Sequence, residues 1–408
     1  MGLASQHLLA SVWQVVSHNW ALVSIAATLV VLLVVPALVL AKYLRICLNI
    51  IRETHPPLSA PQWGYDRIPG ENYDFYAGDG IRLRGVFMHP PPNVARRGTI
   101  IFAPEFKSDR HSCARYGRPL IDAGYDVFSL DFRGHGESMP EAGYFPRQWA
   151  SDREVADMTG AISFVEQWLE EQGRPIELGL FGISRGACVG LLAAEQCASV
   201  KAIVTDGAFS SDCTLEHLMR RWAKIFAKVR IVYENHPPEF WRFLRWVLFL
   251  TCRVKFKCAF PSVRKTLGRM IPRPILFIHG ERDSYIPVVQ SRLLYALASQ
   301  PKFLWVVREA KHNQSVDIAP REYARRTVQF FDHYLAKRYD PGNIYNEDRF
   351  VESALDELAR RRLPHGGRIG DLSPDRLAGP TRDILADERA DERAVAEAAE
   401  AASESAAE

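Results

Sequence analysis

Between Asn72 and Tyr339 the chain alternates short apolar runs with longer stretches of helical period, and that rhythm constrains its fold more than any other feature. The apolar runs are Tyr73–Ala77, Ile81–Met88, Thr99–Ala103, Asp126–Asp131, Glu177–Gly182, Ala202–Asp206, Pro274–His279 and Phe303–Val307. The helical stretches are Cys113–Ala123, Asp152–Glu171, Gly186–Cys197, Val288–Ser299 and Glu322–Arg338. In Asp152–Glu171, residues Val155, Met158, Ile162, Val165 and Trp168 share one face. Strands that alternate with helices in this way predict an α/β domain, a mostly parallel sheet covered on both faces. The first two runs, joined at Gly78-Asp79-Gly80, predict an antiparallel pair at its start.

The rhythm breaks between about residues 211 and 271, a stretch too long for a simple connection. It holds Trp222, Phe226, Trp241, Phe243, Trp246 and Phe249 among many Lys and Arg, and reads as an inserted, mainly helical cap. Its charges fit either a solvated face or a surface meeting an anionic membrane or substrate. Phe240–Val254, interrupted by Arg242, Arg245 and Arg253, fits an interfacial helix or a buried one.

Outside 71–339 the composition changes. Residues 1–41 contain no Lys, Arg, Asp or Glu, and Ala21–Ala41 is nearly all apolar, long enough for one membrane span. A secretory signal needs a basic start, which this segment lacks. Pro36 is tolerated inside a bilayer helix. Lys42, Arg45 and Arg52 follow the span, so the positive-inside rule puts the remainder of the chain in the cytoplasm. The expected organisation is an anchor over 1–54, a proline-bearing linker over 55–70, the α/β domain over 71–339 and a charged, disordered tail over 340–408. A net charge of +3 gives no case for nucleic acid as a partner. Seven scattered cysteines without close pairing predict reduced thiols. No H-E-x-x-H, phosphate-loop or dinucleotide glycine pattern occurs, so no metal or cofactor is expected.

Gly182-Ile183-Ser184-Arg185-Gly186 joins a strand to a helix rich in small residues. A sharp turn there lifts the Ser184 hydroxyl clear of the sheet and aims backbone N–H groups at a developing oxyanion. Alone, the motif also fits a helix N-cap serine. A serine hydroxyl needs a base, and a histidine base needs a carboxylate that fixes its tautomer. His312 follows the last strand. Asp283 follows the strand Pro274–His279, within His279-Gly280-Glu281-Arg282-Asp283. Asp206 and Glu281 are the alternative acids, and His135 and His111 the alternative bases. His135 lies in a glycine turn that reads as structural. Of the two oxyanion donors, one is expected from Arg185 N–H and one from the loop after Ala103. Pro104 has no N–H, which leaves Phe106 first and Glu105 second.

Taken together, Asp131-Phe132-Arg133-Gly134-His135-Gly136-Glu137-Ser138, the turn around Ser184, the Gly280–Asp283 turn and His312 resemble the α/β-hydrolase family. The resemblance is nearest to its serine-aminopeptidase and monoacylglycerol-lipase-like branch, and it covers about Asn72 to Tyr339. It implies the α/β-hydrolase fold and a Ser184–Asp283–His312 triad, in the chain order that fold uses. Where such relatives usually carry His-Gly before the oxyanion residue, this chain carries Pro104-Glu105. The resemblance does not specify a substrate. The expected activity is hydrolysis of a carboxylic ester or thioester through an acyl-Ser184 intermediate, on a small-molecule or lipid-like acyl substrate, by a protein held in the bilayer through its N-terminal helix. An acyltransferase with the same triad, or a membrane-tethered binding scaffold without catalysis, are the alternatives.

Overall fold

The computed structural model describes residues 19–51, 67–226 and 236–346. The start of the anchor segment, most of the linker, part of the cap with residues 227–235, and nearly all of the tail lie outside the described residues.

Eight strands form one sheet in the order β1-β2-β4-β3-β5-β6-β7-β8. They are β1 (Glu71–Tyr76), β2 (Arg82–Met88), β3 (Gly98–Ala103), β4 (Tyr125–Leu130), β5 (Leu178–Ile183), β6 (Val200–Asp206), β7 (Ile275–Gly280) and β8 (Lys302–Val307). β2 runs antiparallel to both of its neighbours, and from β4 to β8 every pairing is parallel. β4, β5 and β7 are buried along their whole length, as parallel strands covered on both faces are.

Helices cover both faces. On one lie α4 (Asp152–Glu171), α5 (Arg185–Ala194) and α9 (Val289–Leu297), which pack with Ile101, Leu180 and Phe277 of the sheet. On the other lie α2 (Cys113–Tyr116), α3 (Arg118–Ala123) and α11 (Pro320–Tyr334), against Phe102, Phe181 and Ile278. α4 starts at a capping box, with Ser151 and Glu154 each satisfying the other's backbone N–H. A single helix was expected over Cys113–Ala123. The chain instead breaks at Gly117, and Pro119 opens the second piece, because proline cannot donate to the preceding turn. The last helix begins two residues before the expected Glu322, at Pro320, which suits a first-turn position.

The insertion supplies α6 (Ser211–Phe226), α7 (Pro238–Phe256) and α8 (Val263–Leu267). α7 buries Trp241, Leu244, Leu248, Cys252 and Phe256, one face at helical spacing. Its opposite face exposes Phe243, Trp246, Leu250 and Val254, interleaved with exposed Arg242, Arg253 and Lys257.

α1 (Trp20–Ile50) is longer than the expected span. Its large apolar side chains are exposed from Trp20 to Leu38, whereas Tyr43, Cys47 and Ile51 are buried. Tyr43 meets Phe240 and Trp241 of α7 edge-on, with ring centroids 5.9 and 6.1 Å apart. Lys42 and Arg45 are compatible with helix, so the helix continues past the apolar stretch and ends inside the cap's core. α1 is the one described helix long and apolar enough to cross a membrane.

Candidate active site

Ser184 sits between β5 and α5 with φ 51° and ψ −116°. A non-glycine residue held there costs about 1–3 kcal/mol and persists only where its surroundings over-determine it. They do so here. Ser184 N–H donates to the Asp206 carbonyl at 2.7 Å, and the Ser184 carbonyl accepts from Cys188 N–H at 3.2 Å. The small residues expected after the turn have a specific reason at Gly186. A Cβ there would come 2.2 Å from the Ala103 carbonyl oxygen and 2.4 Å from that of Pro104. Gly186 therefore lets α5 lie directly against the end of β3 and the loop that follows.

The hydroxyl Oγ of Ser184 is 2.9 Å from Nε2 of His312. His312 Nδ1 is 2.6 Å from Oδ2 of Asp283. The other carboxylate oxygen, Oδ1, accepts N–H bonds from Tyr285 at 3.0 Å and Ile286 at 2.7 Å. Burial opposes the charge on Asp283, but hydrogen bonds from His279 and His312 outweigh it and hold its pKa at about 2. An ionised Asp283 can only accept. Nδ1 of His312 must then carry a proton, and Nε2 is left to accept from Ser184. The three residues come from three separate strand ends. Their approach depends on Gly280, where a Cβ would lie 2.4 Å from the Ala310 carbonyl and 2.7 Å from that of Lys311, in the loop that delivers His312.

The alternative residues are engaged elsewhere. Asp206 is buried and accepts from Ser315 Oγ at 3.2 Å and Tyr323 Oη at 3.0 Å. Burial pushes its pKa up to about 6. Glu281 is exposed. His135 places Nδ1 3.0 Å from the Arg133 carbonyl and Nε2 3.1 Å from the Arg185 guanidinium. Burial, then the Arg185 charge, drives its pKa well down, so it is a neutral ring that accepts from arginine. His111 lies in the short helical turn Arg110–Ser112, and its backbone N–H is held by Asp109.

The expected oxyanion residues are brought together. The Arg185 guanidinium lies between the Phe106 and Phe132 rings, 4.9 and 5.2 Å from their centroids. It donates to the Arg147 carbonyl at 3.0 Å and lies 3.7 Å from Glu154. Arg185 opens α5 and Phe106 lies in the loop after β3, and it is their side chains that meet. Glu105 turns inward. It is buried, accepts from Ser112 Oγ at 3.3 Å, and burial raises its pKa. Sequence reasoning missed the polar cluster behind the turn, in which Tyr144 Oη donates to Glu154 at 2.6 Å. It also missed His279, beside Asp283. The only signal for the cluster was the run of charged residues at positions whose neighbours read as core.

Residues 95–236 match the family model described as serine aminopeptidase, S33. The uncharacterised Bacillus subtilis protein YqkD is 26% identical over 262 residues, which covers 62% of this chain and 76% of YqkD. The human protein ABHD12B is 27% identical over 212 residues, about half of each chain. Among solved structures, the Pyrococcus furiosus esterase Pf2001 superposes with a TM-score of 0.50 at 21% identity, covering 70% of this chain and 99% of the esterase. In fold the chain is an α/β hydrolase, and through residues 95–236 it is similar to that family's serine aminopeptidase branch.

Proposed function

We propose that the protein is a membrane-anchored serine hydrolase that cleaves a carboxylic ester or thioester. The observation that carries this reading is the unbroken chain of contacts Ser184 Oγ–His312 Nε2 and His312 Nδ1–Asp283 Oδ2, at 2.9 and 2.6 Å. In the reaction, Ser184 Oγ attacks the acyl carbon as its proton passes to His312 Nε2. The resulting imidazolium is stabilised by Asp283, and the oxyanion by the backbone N–H groups of Arg185 and Phe106. Collapse expels the alcohol or thiol, which takes the proton from His312. Water then gives its proton to His312 as its oxygen attacks the acyl-serine, and collapse releases the carboxylic acid while Ser184 Oγ takes the proton back from His312.

A lipid-like substrate is supported by two exposed apolar surfaces, the length of α1 from Trp20 to Leu38 and the Phe243, Trp246, Leu250, Val254 stripe of α7. Aromatic side chains interleaved with arginine and lysine suit an anionic headgroup boundary. Lys42 and Arg45 support a cytoplasmic position for the domain.

A fluorophosphonate probe, which reacts only with an activated serine, tests the catalytic reading. The wild-type chain is expected to be labelled and the Ser184→Ala variant to remain unlabelled. Equal labelling of both removes Ser184 as nucleophile. The lipid part is tested separately. Faster turnover of short water-soluble esters than of every acyl lipid tried would end it.

A further inference from the structure

His279 is the penultimate residue of β7, is fully buried, and lies four residues before Asp283. Its Nε2 is 2.7 Å from the carbonyl oxygen of Ile286, an atom that can only accept. The same nitrogen is 3.4 Å from Oδ2 of Asp283, the oxygen that also meets His312. Its Nδ1 is 2.7 Å from Ser291 Oγ. That hydroxyl has one proton, and it donates it to the buried carbonyl of Ala208 at 3.1 Å. Both ring nitrogens therefore face acceptors. A neutral ring satisfies one of them only by turning Ser291 away from Ala208 and leaving a buried carbonyl without that donor, at a cost comparable to a lost hydrogen bond.

We propose that His279 is a buried imidazolium and a positioning residue for the candidate triad, holding Asp283 ionised with Oδ2 aimed at His312. The groups around it fit that charge. Asp283 follows it on the turn, Asp206 faces it from the end of β6, and His312 comes from the loop after β8. Burial opposes protonation of His279, but the Asp283 contact, the Ile286 carbonyl and the Asp206 charge outweigh it and raise its pKa. With His279 protonated, the Asp283–His279 pair is neutral overall. His312 then faces a carboxylate whose charge is partly balanced, which limits how far that carboxylate stabilises the His312 imidazolium.

The effect on activity rests on the hydrolase reading, whereas the charge on His279 can be read without any turnover. Ring-nitrogen NMR of the full-length, ¹⁵N-histidine-labelled chain in detergent gives that readout at pH 8, where a histidine of ordinary pKa (~6.5) is about 97% neutral. The signals lost in His279→Asn are expected to be of the doubly protonated type in the wild type. In Asp283→Asn, which keeps His279 in place, they are expected to change to the neutral pattern, so the assignment survives if His279→Asn does not fold. In kinetics, the acid limb of the kcat/KM profile of His279→Asn is expected to move up by about one pH unit, with KM nearly unchanged. A neutral His279 at pH 8 overturns the inference, and so does an acid limb that stays in place in a folded, probe-reactive variant. Failure of probe labelling in the wild type would instead remove the hydrolase reading and leave the charge on His279 standing.

Discussion

Arg185 stands next to the candidate nucleophile, yet its side chain turns away from any substrate and is wholly buried among Glu154, His135 and two aromatic rings. Arg185→Met keeps the packing volume but leaves the buried Glu154 carboxylate, still hydrogen-bonded by Tyr144 and Ser151, without the Arg185 charge, so it is expected to destabilise the protein by about 3 kcal/mol. A lower melting temperature checks this, and the double variant with Glu154→Gln should recover part of the loss, since it removes the stranded charge. Asp283 works differently, through orientation. Asp283→Asn can present an N–H to His312 and favours the wrong tautomer, so kcat is expected to fall by about 10⁴-fold, on the scale seen when a triad aspartate is replaced in this way. On an ester shown to be a substrate of the wild type, a loss of less than tenfold would remove Asp283 as the triad acid.

At the scale of elements, the turn works because α5 and the end of β3 nearly touch. Gly186→Ala places a methyl group 2.2 Å from the Ala103 oxygen, and the relief must come from backbone on one side or the other. Either movement would displace a proposed oxyanion donor. The variant is expected to lose about a hundredfold in kcat with little change in KM, as steady-state kinetics on a soluble ester would record. Much of this level was legible in the sequence, because period and burial coincide in an α/β domain. The fully buried β4, β5 and β7 and the amphipathic α4 declared themselves, and the three strand ends that carry Ser184, Asp283 and His312 followed from them. What escaped was set by pairings distant in sequence. No local pattern ties Arg185 to Glu154 and His135, or His279 to Ser291 and Ala208, since those partners are chosen by how helices land on the sheet. Gly117–Pro119 was readable as a break, but the helical period across Cys113–Ala123 masked it.

For the whole molecule, the end of α1 packs into the core of the cap. Phe243→Ser with Trp246→Ser removes the exposed aromatic surface without touching the buried face of α7. Losing that much apolar contact with lipid is expected to lower activity on vesicle-borne acyl lipid about tenfold, while activity on a soluble short ester is unchanged. Parallel assays on the two substrates check this. An equal loss on both would place the two residues in the support of the cap and not at a lipid surface. The membrane reading has its own check in extraction of cell membranes at alkaline pH, where the full-length chain should stay with the lipid fraction.

The burial of Tyr43, Cys47 and Ile51 carries a mechanical consequence. A span joined to its enzyme by a slack segment would let the domain drift over a wide shell. If α1 spans the bilayer, its helix runs on into the cap and would act as a mast stepped into the hull. The exposed apolar length from Trp20 to Leu38 corresponds to about 28 Å of helix, close to the ~30 Å of a hydrocarbon core. A thicker or thinner bilayer would tilt the mast and carry the cap with it. Turnover should therefore depend on the acyl-chain length of the host lipid, even when the substrate itself stays dissolved in water.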